Sequence, residues 1–93
     1  MIYLSLVKQL AYMLTLYEYN QLSLDDKASY LWNHGRYLVN RSTSSHRVNL
    51  YSLHSYYIEV WYNDQSNEID QLRSFSSSNQ LTPYLSLFEI TDL

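Results

Sequence analysis

The three histidines of this chain are the side chains best suited to proton transfer near neutral pH and to binding a transition metal, because the chain contains no cysteine. They are His34, His46 and His54, and the intervals of 12 and 8 residues between them match no compact metal-ligand motif. The surrounding residues place His34 at the end of a helix and the other two in or beside turns, where histidine side chains are ordinarily solvated. We therefore predict no metal site and no cofactor.

Other catalytic patterns do not occur in the sequence. None of the serines lies in a Gly-x-Ser-x-Gly turn, and the single glycine of the chain cannot build a phosphate-binding loop. The adjacent carboxylates Asp25 and Asp26 are explained by the start of a helix, whose dipole favours negative charge there. We predict no catalytic residue, and the sequence favours a protein that is not an enzyme.

Glu59 needs a different explanation, because it lies in the middle of an aromatic β-strand. Alternation along that strand places Glu59 on the same face as Tyr57 and Trp61, where a carboxylate requires a partner on a neighbouring strand. The candidate partners are Arg41, Arg47 and Arg73. The favoured interpretation is a cross-strand ion pair under aromatic cover, and the alternative is a carboxylate in a ligand-binding pocket.

Tyrosine is unusually frequent, with 11 residues, and its ring with a polar hydroxyl suits half-buried surfaces and interfaces. The candidate interaction surface comprises Tyr51, Tyr57, Glu59, Trp61 and Arg47. Aromatic sheets can also stack nucleic-acid bases, and a local cluster of arginines keeps that interpretation open. The net charge of −3 and the lack of a basic run argue against it, so we predict no nucleic-acid partner.

The spacing of apolar residues along the chain changes from a helical to an alternating period after residue 35. Strands are predicted over residues 36–41, 46–53, 56–62 and 68–75, and the short connections between them imply an antiparallel meander. The turn over residues 53–55 is ambiguous. A two-residue turn at His54-Ser55 groups Tyr51 with Ile58, whereas a three-residue turn, which we favour, groups Val48 and Leu50 with Ile58 and Val60 beneath the helices.

Two helix starts precede the strands, each marked by a hydroxyl residue followed three positions later by a carboxylate. Thr15 with Glu18 predicts one capping box, and Ser23 with Asp26 repeats the spacing. The core-facing stripe of the second helix is Leu24, Ala28, Leu31 and Trp32. Gly35 follows at the position of a left-handed cap.

The two ends of the chain are apolar. A helix over residues 2–14 would be apolar around most of its circumference, which fits either a core helix or a segment buried against a second copy. The apolar run over residues 10–17 is too short to span a membrane, and no export signal surrounds it, so we expect a soluble, cytoplasmic protein with no membrane partner. Near the other end, Thr82 and Pro83 predict a short helical turn through Leu85, and the tail beyond it is expected to pack.

The order of several segments resembles that of a group of small uncharacterised bacterial proteins. The segments are LYEYN at 16–20, Lys27, Leu31-Trp32, Gly35, VNLYSL at 48–53, YYIEVWY at 56–62, Ser74-Phe75 and Leu81-x-Pro83-Tyr84-Leu85. The resemblance covers residues 15–93 and implies a fold without implying an activity. It also makes Met13 a natural start, with residues 1–12 as an extension, and it implies an Asp-Gly type of turn where this chain has His54-Ser55.

The sequence therefore predicts one α+β domain over 93 residues, because a 46% hydrophobic chain of this length builds a single core. We expect N-terminal helices on one face of a four-stranded antiparallel meander and a short C-terminal helical turn at one edge. The predicted function is that of a non-enzymatic interaction module, a homodimer joined through the second sheet face or the N-terminal helix. The alternative is a small-ligand-binding domain or minor enzyme using an aromatic pocket around Tyr57, Glu59 and Trp61.

Overall fold

A four-stranded antiparallel sheet with helices at both ends of the chain forms the fold, as a computed structural model describes it for residues 13–87. The strands are Arg36–Ser42 (β1), His46–Leu53 (β2), Tyr56–Asn63 (β3) and Ile69–Phe75 (β4), and they lie in the sheet in sequence order. The helices are Leu16–Asn20 (α1), Leu24–His34 (α2) and a 3-10 helix, Ser78–Leu87. The predicted α+β meander is confirmed. Residues 2–12 of the helix expected over residues 2–14, and the tail from Phe88, lie outside the described residues, whereas Met13 and Leu14 are described and are not helical.

Both α-helices begin at the residues that the capping pattern predicts. The Thr15 hydroxyl accepts a hydrogen bond from the Glu18 backbone N–H at 3.1 Å, and the Glu18 carboxylate accepts one from the Thr15 N–H at 2.9 Å. At α2 the Ser23 hydroxyl accepts from the Asp26 N–H at 3.1 Å. These bonds satisfy N–H groups that have no partner within the helix, so a purely local signal fixes both starts.

Gly35 ends α2, although it does so in a different conformation from the one predicted. Its φ of −81° and ψ of 160° are extended values that any residue adopts, so the left-handed cap is wrong. Glycine is needed at this position because a side chain would collide with Leu31. A Cβ atom at position 35 would lie 2.5 Å from Leu31 Cδ1 and 2.8 Å from the Leu31 carbonyl oxygen, and Leu31 is fully buried.

The β2–β3 turn consists of His54 and Ser55, with Leu53 paired to Tyr56, so the favoured three-residue turn is wrong. His54 has a φ of 56°, as the first position of a tight two-residue hairpin turn requires. Ile58 is consequently the cross-strand partner of Tyr51, and Glu59 is the cross-strand partner of Leu50, so the two pairs lie on opposite sides of the sheet. Apolar residues lie on both faces of this hairpin, so hydrophobic patterning alone could not decide between the two registers.

The sheet buries apolar side chains on both of its faces. On the helix-side face, Tyr19 and Leu31 from the helices pack with Leu53, Ile58 and Val60, and both helices lie closest to β4. The opposite surface, called here the second face, carries a smaller cluster of Leu50, Phe75 and Tyr84, with partly buried Leu38, Val39, Tyr57 and Leu81 against it. Val48 and Leu50 belong to the second face, contrary to the prediction that groups them under the helices.

The 3-10 helix Ser78–Leu87 contributes the cover of the second face. It begins four residues before the predicted start at Thr82, and the Thr82 hydroxyl donates to the Asn79 carbonyl at 2.8 Å instead of capping a helix. The helix packs against β1 and buries Tyr84 completely. The C-terminal element is therefore longer than the predicted turn, and it covers a face rather than an edge. No helix within residues 13–87 combines the length and apolarity needed to cross a membrane.

Candidate functional site

The carboxylate of Glu59 lies at the centre of a buried polar cluster on the second face. Glu59 is 2% exposed, in the middle of β3 between Leu50 on β2 and Arg73 on β4. Its four partners are the Tyr84 hydroxyl at 2.5 Å, Trp61 Nε1 at 3.2 Å, Arg41 Nη2 at 3.4 Å and Arg73 Nη1 at 3.6 Å. Tyr84 and Arg41 contact Oε2, while Trp61 and Arg73 contact Oε1, so neither oxygen lacks a donor.

Arg41 and Tyr84 contact each other as well as the Glu59 carboxylate. The Arg41 guanidinium lies over the rings of Trp61 and Tyr84, at 5.3 and 5.1 Å from their centroids, so the cation meets two aromatic faces as well as the carboxylate. Burial and the hydrogen bond to Glu59 raise the pKa of Tyr84. Burial alone would lower the pKa of Arg41, but its contacts with Tyr84 and Glu59 outweigh that effect and raise it. The cluster therefore keeps the Arg41 guanidinium charged and the Tyr84 phenol protonated.

The predicted ion pair of Glu59 is present with Arg41 and Arg73, whereas Arg47 lies on the opposite face. Tyr84, which makes the shortest contact, was not predicted to belong to this site, because it lies 25 residues from Glu59 on an element that was expected at one edge of the sheet. Arg41 Nε is the one buried side-chain nitrogen or oxygen within residues 13–87 that has no hydrogen-bond partner.

A second group of aromatic side chains is open on the helix-side face. Trp32 from α2, Tyr51 from β2 and Tyr37 from β1 form a row with centroid separations of 5.8 and 5.7 Å. Trp32 and Tyr37 are each 48% exposed, and Tyr51 is half-buried. Both α-helices make their main contacts with β4, which lies at the opposite edge of the sheet from β1. We call Trp32, Tyr37 and Tyr51 the aromatic row.

The aromatic row continues along β2 to a cation. The Arg47 guanidinium lies 5.1 Å from the centroid of the Tyr62 ring, on the same sheet face as Tyr51. Burial, with the Tyr62 hydroxyl as a secondary cause, raises the pKa of Tyr51. The structure thus divides the predicted interaction surface. Tyr51 and Arg47 lie on the open helix-side face, while Tyr57, Glu59 and Trp61 lie on the second face beneath or beside the 3-10 helix.

A serine, a histidine and an aspartate meet at the N-terminal end of β2, next to the β1–β2 turn. The Ser45 hydroxyl lies 2.7 Å from His46 Nδ1, and His46 Nε2 lies 2.7 Å from Asp70 Oδ2. The hydrogen bonds from His46 and Asn63 lower the pKa of Asp70. Acyl transfer also requires donors for an oxyanion, but the backbone N–H groups of Ser45 and His46 both donate to the Thr43 hydroxyl. The array therefore fixes the β1–β2 turn against β4.

The other two histidines meet near the β2–β3 turn, with ring centroids 6.1 Å apart. This proximity was not predicted, because 20 residues separate the two histidines along the chain. Comparisons of the chain with protein-family models, curated proteins and solved structures give no significant match. The resemblance of residues 15–93 to a group of bacterial proteins therefore stays a prediction.

Proposed function

We propose that this protein is a self-associating interaction module in which two copies meet across the aromatic row and the outer edge of β1. The observation that carries the proposal is the contact of exposed Trp32 and Tyr37 with half-buried Tyr51, on the side of the sheet away from β4, where both α-helices make their main contacts. Tryptophan, tyrosine and arginine are the residue types that dominate the energetics of protein interfaces. Large rings held in contact with one another also lose little conformational freedom on binding.

The 3-10 helix covers part of the second face, which leaves the helix-side face as the better candidate for association. The sequence suggested association through the second face or the N-terminal helix. On the second face, however, Tyr84 is fully buried against Glu59 and the apolar side chains already pack on the chain itself. The same contacts give less support to the small-ligand or enzymatic alternative around Tyr57, Glu59 and Trp61. A ligand would have to displace the Tyr84 hydroxyl from the carboxylate.

Two features make a second copy the favoured partner. The aromatic row presents electron-rich ring faces, and the Arg47 cation lies on the same sheet face. In a twofold arrangement, the guanidinium of one copy could therefore approach an aromatic face of the other. In addition, β1 is an edge strand whose outer side pairs with no described strand, and Tyr37 lies on it. Antiparallel pairing of two β1 strands would continue the sheet and bring the two rows together.

Sedimentation equilibrium of the full chain tests the proposal. We expect a species of twice the 11.1 kDa chain mass at micromolar concentration, and we expect Trp32→Ala or Tyr37→Ala to weaken the dimer at least tenfold. Tyr17→Ala is the matched control, because Tyr17 is 74% exposed on α1 outside the row, and it should leave the dissociation constant unchanged. A monomer at high micromolar concentration would contradict the proposal, as would equal weakening by Tyr17→Ala.

A further inference from the structure

The histidines His34 and His54 come from elements that the fold brings together at one end of the molecule. His34 is the last residue of α2, and His54 is the first residue of the β2–β3 turn. Tyr30, one helical turn before His34, lies against both, with its ring 4.3 Å from that of His34 and its hydroxyl 2.7 Å from His54 Nε2. Both histidines are exposed, so a solute can reach them.

Hydrogen bonding at Tyr30 determines which nitrogen of His54 is available. The Tyr30 hydroxyl oxygen accepts a hydrogen bond from the Leu14 backbone N–H at 3.1 Å and is also hydrogen-bonded to His54 Nε2, so Nδ1 is the His54 nitrogen that makes no hydrogen bond within residues 13–87. A hydroxyl oxygen has two acceptor sites. When His54 binds an electrophile through Nδ1, its ring proton is on Nε2 and is donated to the second acceptor site of Tyr30.

That arrangement is the one that metal-bound imidazoles use, with the second ring nitrogen donating to a fixed oxygen. We propose that His34 and His54 form a two-histidine site for a divalent transition metal ion such as Zn²⁺, with Tyr30 orienting His54 and water completing the coordination. In this site His54 binds through Nδ1. His34 contributes one of its ring nitrogens, neither of which makes a hydrogen bond within residues 13–87.

The ring separation agrees with such a site. A Zn–N bond of about 2.1 Å puts each ring centroid about 3.2 Å from the metal, so two rings at a tetrahedral angle have centroids about 5 Å apart. The observed separation of 6.1 Å closes by about 1 Å through side-chain rotation, which exposed residues allow.

The conformation of the turn supplies a clean test. Asparagine is one of the residues enriched at positive φ, so at position 54, where φ is 56°, His54→Asn removes the ligand while suiting the backbone. His34→Gln removes the other ligand, and His46→Asn is the matched control because His46 is bonded to Asp70 elsewhere. Each full-length variant is titrated with ZnCl₂ by calorimetry, and its melting temperature is recorded with and without the metal.

We expect one Zn²⁺ per chain with a dissociation constant in the micromolar range. At a free Zn²⁺ concentration about 100 times the dissociation constant, the wild type and His46→Asn should melt roughly 10–20 °C higher, because a ligand that binds only the folded state stabilises it. His54→Asn and His34→Gln should each lose the calorimetric signal and the shift while remaining folded. The absence of binding to the wild type would overturn the proposal, and so would retention of binding by either ligand variant.

Discussion

Replacing Tyr84 with phenylalanine removes the hydroxyl that donates to the Glu59 carboxylate at 2.5 Å and leaves the ring in place. Glu59 is 2% exposed, so water cannot substitute for the missing donor. A hydrogen bond to a charged acceptor contributes about 1.5–3 kcal/mol. Arg41 at 3.4 Å retains contact with the same oxygen and compensates in part, so we expect Tyr84→Phe to cost about 2 kcal/mol. That loss lowers the melting temperature by roughly 8–16 °C in a domain of this size.

Tyr57→Phe is the matched control for this experiment. Tyr57 lies on the same face, stacked on Phe75 with centroids 5.5 Å apart, and its hydroxyl makes no hydrogen bond within residues 13–87. The same change of atoms should therefore cost less than about 0.5 kcal/mol there. Urea unfolding followed by tryptophan fluorescence measures both variants, since Trp61 lies in the cluster. If Tyr84→Phe costs no more than Tyr57→Phe, the buried cluster does not stabilise the second face as argued.

Charge can be separated from packing in the same assay by adding Glu59→Gln. A neutral amide oxygen accepts a weaker bond, so Tyr84→Phe should cost about 1 kcal/mol in the Glu59→Gln background instead of about 2 kcal/mol. Equal costs in the two backgrounds would show that the Tyr84 hydroxyl does not sense the carboxylate.

Two further predictions concern a glycine and a tyrosine. Gly35→Ala should destabilise the protein by about 1–3 kcal/mol in urea unfolding, because the new methyl group would lie 2.5 Å from Leu31 Cδ1 and 2.8 Å from the Leu31 carbonyl oxygen. Unchanged or increased stability of this variant would contradict the explanation for glycine at position 35. At high pH, burial and the nearby Tyr30 and Glu18 raise the pKa of Tyr56 from its ordinary value of 10.0 to about 12. The unfolded chain loses this proton first, so stability present below pH 10 should fall as the pH rises towards 12, and Tyr56→Phe should flatten that decline in urea midpoints measured across this range.

Local chemistry made the helix starts and strands predictable. The side chains of Thr15 and Ser23 bond backbone groups three residues away, so their effect is contained in a short stretch of sequence. The second strand, His46–Leu53, has the predicted bounds because polar turn residues flank a segment in which large apolar residues recur at Val48, Leu50, Tyr51 and Leu53. The face assignment of Glu59 also followed from alternation within one strand, which is independent of the turn before it.

The remaining features depend on contacts between distant segments. The hairpin register at His54 was open because both faces are apolar, and a histidine with positive φ is an uncommon choice for a turn. The donor from Tyr84 to Glu59 and the approach of His34 to His54 arise only after the meander folds. Gly35 is required by the position of the Leu31 side chain, which no helix-cap pattern encodes.

The location of self-association can be measured directly because the natural chain has no cysteine. Asn40→Cys introduces one thiol on β1, on the helix-side face, where the Asn40 side chain contacts the Tyr37 hydroxyl; Asp64→Cys places a control thiol in the exposed β3–β4 turn. Under mild oxidation at micromolar protein, our account predicts that Asn40→Cys forms a disulfide-linked dimer on a non-reducing gel much faster than Asp64→Cys does. Equal or slower cross-linking at position 40 would contradict an interface at the β1 edge.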